Sequence, residues 1–185
     1  MNAVKLYQAG LSNYILNTPS KNIMVAIDHF EQAALSGYAD AYYFLGRFYG
    51  LGDGISLDLE KAMELYLKGA SLGSAKCGYA VGLMFHSGSG RERDEDTARI
   101  YFKENYEVLL SEASHNDPVS IHILGTYYYY GFNVQRYIFK AIEWFLKSAN
   151  LGYSDSQYML GMIYETIGHD EKQTETAEYY YELAA

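Results

Sequence analysis

The apolar positions of this chain follow a helical pattern that is interrupted by short polar, glycine-rich turns. Bulky apolar residues stand three and four positions after recurring alanines, as at Leu65 and Tyr66 after Ala62, and this spacing lines one face of a helix. Turn residues dominate "GLGDGISLD" (50–58) and "SGSGRERD" (87–94). No segment alternates apolar and polar residues as a strand would. The pattern therefore predicts an all-α protein of paired helices.

The helix pairs repeat along the chain. Each repeat carries a glycine and, sixteen residues later, an alanine: Gly10/Ala26, Gly46/Ala62, Gly82/Ala98, Gly125/Ala141 and Gly161/Ala177. Nine residues before each of the last four glycines stands a residue type that tolerates the left-handed conformation closing a helix; these are Gly37, Gly73, Asn116 and Gly152. The predicted units are 1–36, 37–72, 73–115, 116–151 and 152–185 of one solenoid domain, 1–185.

Within each unit the two helices have different marks. The first carries the glycine, which lets a neighbouring helix approach closely, and the second carries the alanine. Asp58 and Asp94 are predicted to cap second helices. The 73–115 unit is longer by seven residues, about two turns, which keeps an apolar face in phase to within about 20°. We therefore predict a lengthened second helix in "ARIYFKENYEVLLSEASH", which either repacks the joint with the next unit or presents a ridge to a partner.

The segment "AYYFLGRFYGLGDGISLDLEKAMELYLKGASLG" (41–73) resembles a Sel-1-like repeat, a relative of the tetratricopeptide repeat with a longer loop between its helices. The 116–151 unit matches the same pattern at Leu124, Gly125, Tyr128, Gly131, Lys140, Ala141, Trp144, Lys147 and Ala149. The resemblance implies an α/α solenoid of about five helix-turn-helix repeats, wound as a right-handed superhelix. It also implies a curved stack that binds other proteins, usually without catalysis.

The same resemblance implies that first helices line the concave face, with inward positions three before the repeat glycine and one, four and five after it. The predicted partner-binding residues are Tyr43, Arg47, Tyr79, His86, His122, Tyr129, Tyr130, Tyr158 and Met162. The aromatic residues three before each glycine either pack between helices or also contact a ligand. In "GTYYYYG" (125–131), Tyr127 and Tyr128 are predicted to be core, whereas Tyr129 and Tyr130 are predicted to face the groove.

The distribution of charge adds a candidate docking surface at the C-terminal end of the chain. The net charge of −9 disfavours nucleic acid and anionic membranes as partners. Residues 152–185 hold seven acidic residues and one basic residue, which form either a solvated face or a docking surface for a basic partner through Glu171, Glu175 and Glu178. Tyr179 replaces an acid found at this position in other units, and its predicted exposure suggests a homodimer contact or a covering partner.

The sequence shows no arrangement for catalysis. The histidines form no paired metal-ligand motif, and "HSGSGRERDED" (86–96) lacks the lysine and hydroxyl residue of a phosphate-binding loop. Cys77, the only cysteine, stands where other units have alanine or serine, so we predict a packing role. We expect no enzyme activity, no metal and no cofactor.

A single cysteine excludes an internal disulfide framework and favours a reducing compartment. We see no signal-peptide pattern and no apolar run of about 18 residues, so a cytoplasmic location is expected. The predicted function is a non-catalytic protein-protein interaction module, favoured as a bacterial adaptor or an immunity protein that blocks a toxin. The alternatives are a reversible regulator of a signalling enzyme or secretion machine, and an accessory protein that binds a glycan or small ligand.

Overall fold

A computed structural model of the protein describes residues 2–14, 22–167 and 171–185. The described residues form ten α-helices and no strand. The helices are α1 (Ala3–Tyr14), α2 (Ile23–Leu35), α3 (Ala41–Leu51), α4 (Leu59–Ser71), α5 (Ala75–Ser87), α6 (Glu95–Ser114), α7 (Pro118–Tyr130), α8 (Ile138–Asn150), α9 (Ser154–Ile167) and α10 (Glu171–Ala184). The prediction of an all-α chain built from helix pairs is confirmed.

The chain divides into two compact units, and the boundary falls inside α6, between Val108 and Leu109. In unit 1, α2 packs against α1 and α3, and α4 packs against α3 and α5. In unit 2, α8 packs against α7 and α9, and α9 packs against α10. The single solenoid domain and the right-handed superhelix stay predictions.

In every helix pair the repeat glycine of the first helix lies against an aromatic ring of the second. The pairs are Gly10–Phe30, Gly46–Tyr66, Gly82–Phe102, Gly125–Phe145 and Gly161–Tyr181. A Cβ atom on Gly125 would lie 2.5 Å from Cε1 of Phe145, a distance that real Cβ atoms do not show. Each ring stands four residues after the repeat alanine. The close helix contacts predicted at these glycines are confirmed.

The predicted ends of helices are also confirmed. Asp58 accepts a hydrogen bond from the backbone N–H of Lys61 at 2.8 Å, and Asp94 accepts one from that of Thr97 at 3.0 Å, so both aspartates cap the helices that follow them. The four residues predicted to close helices all have positive φ, and they include one non-glycine residue, Asn116, with φ 61°.

Helix α8 begins differently. Its first residue follows Tyr137, which has φ −149° and ψ 98°, almost the values of Asp58, at −148° and 96°. The backbone of Tyr137 therefore has the conformation of a helix N-cap. Its side chain makes no capping hydrogen bond.

Helix α6 is 20 residues long, whereas α4 and α8 have 13 each. Phe102 and Leu109 are seven residues apart and both buried, so the apolar face continues in phase through the extra turns. The predicted lengthening of this helix is confirmed. Contact of the extra turns with a partner stays a prediction.

Two neighbouring repeats of unit 1 are linked by a buried ion pair. Nζ of Lys76 lies 2.7 Å from Oδ2 of Asp40, and the lysine side chain is 1% exposed. The hydroxyl of Ser74 donates to the other carboxylate oxygen. A lysine this deep in the protein requires such a partner, because burying an unpaired charge is costly.

Candidate partner-binding surfaces

The aromatic residues three before the repeat glycines are mainly packing residues. Four of the five are buried, namely Tyr7, Tyr43, Tyr79 and His122. The ring of Tyr43 meets that of Phe44 edge-on at 5.2 Å between centroids. Of the two roles considered for these rings, packing between helices describes the buried ones. Contact with a ligand stays a prediction for the ring edges that reach the surface.

His122, like Tyr43 and Tyr79, is a predicted partner-binding residue that is largely buried. Nδ1 of His122 lies 2.8 Å from Oγ of Ser156, and its ring lies 5.1 Å from that of Tyr153. An imidazole that finds a hydroxyl partner can be buried at little cost. His122 therefore joins two helices of unit 2, and its contact with a partner stays a prediction.

An open cleft of about 320 Å³ lies between α3, α4 and α5 of unit 1. We call it the Arg47 cleft, and the residues that line it are Tyr43, Arg47, Gly50, Leu51, Leu59, Ala62, Tyr66, Tyr79, Ala80, Leu83, Met84, Ser87 and Ser89. Tyr43, Arg47 and Tyr79 are thus brought together as predicted partner-binding residues. Leu83 and Met84 belong to the same surface but were not predicted.

The side chains that line the Arg47 cleft are mainly apolar, with one cation and a few hydroxyl groups. Arg47 is the only charged residue among those that line the cleft, and its guanidinium lies 5.9 Å from the ring centroid of Tyr43. Burial raises the pKa of Tyr66, and the neighbouring Tyr43 raises it further. The phenol of Tyr66 therefore stays neutral, and Arg47 provides the charge of the cleft.

His86 does not line the Arg47 cleft. Its Nδ1 lies 2.9 Å from a carboxylate oxygen of Glu95, which Arg93 also contacts. Hydrogen bonds from Arg93 first and His86 second hold the pKa of the Glu95 carboxyl below its usual value. His86 thus connects α5 to the start of α6, and its contact with a partner stays a prediction.

The four consecutive tyrosines of α7 differ in burial. Tyr127 is fully buried and Tyr130 is 53% exposed, in agreement with the prediction. Tyr128 and Tyr129 are both half-buried and pack against the same core cluster around Phe145. The prediction of Tyr128 as a full core residue therefore needs correction. Tyr130 is the last residue of α7, so it is exposed although it lies three residues after Tyr127 on nearly the same face of the helix.

A second open cleft, of about 440 Å³, lies beside the α7–α8 loop in unit 2. We call it the Arg136 cleft, and the residues that line it are Tyr129, Arg136, Tyr137, Ile138, Phe139, Ile163, Thr166 and Ile167. Nε of Arg136 donates to the backbone oxygen of Tyr129 at 2.9 Å. The guanidinium of Arg136 lies 6.0 Å from the centroid of the Tyr129 ring.

Of the residues predicted to face the concave groove, Tyr129 lines the Arg136 cleft, whereas Arg136, Tyr137 and Phe139 are not among the predicted residues. A usable signal was present. Tyr137 stands twelve residues after the repeat glycine, where two other units carry the capping Asp58 and Asp94.

Other predicted residues of unit 2 lie outside the Arg136 cleft. Tyr158 is exposed, with its ring 5.7 Å from that of Tyr181, and Met162 is half-buried. The hydroxyl of Tyr181 donates to Glu165 at 2.6 Å, and this hydrogen bond is the main cause that raises the pKa of Tyr181 to about 12.

The predicted acidic docking residues lie on α10. Glu175 and Glu178 are exposed. Glu171 is the first residue of the helix, and its side chain lies outside the described part of the chain. Tyr179 is exposed next to Glu178.

No group of three or more metal-ligating side chains occurs among the described residues. Cys77 is buried, and burial raises the pKa of its thiol to about 12, so the thiolate needed for nucleophilic attack does not form near neutral pH. Within the described ranges, none of the helices combines the length and the apolar character needed to cross a bilayer.

The chain is similar to several known proteins in sequence or in fold. The chitin synthase regulator SKT5 of Saccharomyces cerevisiae is 27% identical over 151 residues, which cover 80% of this chain and 21% of the regulator. The crystal structure of c5321, a protective antigen of uropathogenic Escherichia coli, is 27% identical with a TM-score of 0.51, over 99% of this chain and 38% of that one. The immunity protein Pa5087 of Pseudomonas aeruginosa is 21% identical with a TM-score of 0.50, over 98% and 64% of the two chains.

The likeness to Pa5087 is a likeness of fold alone. The chain spans about a fifth of the length of the curated relatives that it matches. The Sel1 repeat pattern matches residues 3–38, 39–74, 75–104, 118–153 and 154–185, which together make up most of the sequence. The chain belongs to the Sel1 repeat family.

Proposed function

We propose that this protein is a non-catalytic module that binds a protein partner through the Arg47 cleft. The observation that carries the proposal is a ready-formed cleft in which a single arginine is surrounded by mainly apolar side chains, of which Leu51 is exposed. Arginine is among the residues that dominate binding energy at protein interfaces. Sel1 repeat proteins are typically non-catalytic, and their repeats suggest protein partners.

Site-specific photo-crosslinking in the native cell tests this proposal. A photoreactive residue at Leu51, an exposed leucine that lines the Arg47 cleft, should capture a partner, and Arg47→Ala should abolish the capture. Leu72, an exposed leucine at the end of α4, is the matched control position. Equal capture at Leu51 and Leu72, or capture that survives Arg47→Ala, would refute binding through the cleft.

The role that we favour is a cytoplasmic adaptor or immunity protein of bacteria. The acidic side chains on α10 support a basic partner, such as a toxin. The fold shared with Pa5087 is compatible with this role but does not select it. Regulation is the alternative, and the likeness to a chitin synthase regulator favours it. A homodimer through Tyr179 stays a prediction.

Experiments with the crosslinked partner distinguish an immunity protein from a regulator. An immunity protein should abolish the activity of its partner at equimolar ratio, and deleting its gene should be toxic only when the partner is present. A regulator should change the rate of the reaction that its partner catalyses without abolishing it. The titration is made with purified partner and increasing amounts of this protein.

A further inference from the structure

The start of α8 departs from the second helices of the first three units in a way that lowers helix stability. Asn22, Asp58 and Asp94 cap the second helices of the first three units, whereas Tyr137 occupies the same position without capping α8. Phe139 stands where those three units have Met24, Glu60 and Asp96, and the two acids interact favourably with a helix N-terminus.

Tyr137 and Phe139 contribute little stability through burial. Tyr137 is 56% exposed and Phe139 is 63% exposed. Burial of these rings therefore contributes too little stability to offset the loss of the capping hydrogen bond of α8. Large aromatic side chains left in solvent at the expense of a helix cap indicate a surface that is used in binding.

The exposed rings are held in place by their neighbours. The rings of Tyr137 and Phe139 meet edge-on at 6.1 Å, and Tyr130 stacks on Phe132 at 5.3 Å with an interplanar angle of 20°. Burial raises the pKa of Tyr130, and Tyr129 raises it further. A surface whose side chains are already ordered loses little conformational entropy when a partner binds.

Arg136 sets the charge that the partner must match. It is the only charged residue among those that line the Arg136 cleft. Its Nε is engaged by Tyr129, and no carboxylate of the described residues pairs with it. Its two terminal amino groups therefore remain for a bidentate hydrogen bond to a carboxylate. Arg93, at the same repeat position, is in contrast paired with Glu95.

We propose that the Arg136 cleft, with the exposed rings of Tyr130, Tyr137 and Phe139, binds a segment of a partner protein that carries a carboxylate beside a large apolar side chain. This surface is separate from the Arg47 cleft, and the proposal does not rest on the function proposed for that cleft. The carboxylate pairs with Arg136, and the apolar side chain covers the exposed rings.

The test uses random twelve-residue peptides displayed on phage and selected on the full chain. The affinity of the selected peptides is then measured for the double variant Tyr137→Asp/Phe139→Glu, which introduces the residue types that the 37–72 unit has at these positions, and we expect the variant to lose binding. We expect the selected peptides to carry Asp or Glu next to a large apolar residue. Replacing that acid by its amide, or Arg136 by alanine, should each weaken binding about tenfold or more, and the two changes together should weaken it no further.

Two controls keep the result specific. Arg93→Ala removes an arginine at the same repeat position and should leave peptide affinity unchanged. The double variant should melt no lower than the parent, because it gains a helix cap, so its loss of binding cannot come from unfolding. Selection of basic peptides, equal binding by the double variant, or no selected peptide would overturn the proposal. Self-association that the double variant abolishes would assign the surface to a second copy and would also overturn it.

Discussion

At the residue scale, two glycines of α3 that stand one turn apart have different roles. A Cβ on Gly46 would collide with the buried ring of Tyr66, whereas a Cβ on Gly50 would lie 3.5 Å from that of Ala62, an ordinary contact. Gly46→Ala should therefore destabilise the protein by about 1–3 kcal/mol through overpacking. Gly50→Ala should stabilise it by about 0.5–1 kcal/mol because alanine favours the helix. Urea denaturation of both variants measures the difference, and equal effects would contradict it.

Cys77 gives a prediction for the pH dependence of stability. Burial raises the pKa of its thiol from 9.0 to about 12. Below pH 9 the thiol is protonated in both folded and unfolded chains, so its contribution to stability is fully present. As the pH rises from 9 towards 12, only the unfolded chain loses the proton, and this contribution is lost.

The pKa of the Cys77 thiol rises from 9.0 in the unfolded chain to about 12 in the folded protein. At pH 8 the fraction of thiolate in the native protein should therefore be about a thousandth of that in the unfolded chain. Ellman's reagent should therefore label Cys77 far more slowly in native protein than in denaturant. Cys77→Ala is the control for the titration of tyrosines above pH 9. Fast native labelling would show that the site opens or that the thiol is not buried.

At the element scale, the two N-cap positions with nearly the same backbone conformation allow an exchange experiment. Asp58→Tyr should destabilise the protein by about 1 kcal/mol, because α4 loses its side-chain cap. Tyr137→Asp should stabilise it by a similar amount, because an aspartate at those angles can accept from the N–H groups of α8. Thermal melting of the two variants should show shifts of opposite sign. Shifts of the same sign would mean that side-chain packing outweighs capping.

The helices themselves could be predicted from sequence because each has a local sequence signal. Gly125 and Phe145 mark a helix contact by size, and Asp58 marks a helix start by hydrogen-bonding capacity. Tyr128 and Tyr129 show the limit, because the repeat pattern predicts one as core and the other as groove-facing, whereas both are half-buried at the edge of the same core cluster. Arg136 shows another limit, because only the folded loop brings it onto Tyr129.

At the scale of the whole molecule, the net charge of −9 should influence association with the partner captured through Leu51. If that partner is basic, Glu175→Lys with Glu178→Lys should slow association and leave the melting temperature nearly unchanged, because both side chains are exposed. The association rate of the parent should also fall with salt, since exposed charges are screened over about 8 Å at physiological ionic strength.

A charge-matched control, Glu60→Lys with Glu104→Lys, separates the acidic surface of α10 from total charge. Stopped-flow measurements at two salt concentrations make the comparison. Equal slowing by both pairs would leave only a general effect of net charge, and association independent of salt would contradict a basic partner.

The uncapped start of α8 has a consequence for protein engineering. Averaging the repeats to obtain a consensus sequence would replace Tyr137 by aspartate, which two of the five units carry at this position, and Phe139 by an acid, which three of the five units carry there. The averaged protein would be easier to produce and would melt at a higher temperature, and a screen for expression or heat resistance would rank it first. It would also have lost the aromatic side chains that distinguish this repeat from its neighbours. Stabilised versions of the protein should therefore keep residues 136–139 fixed.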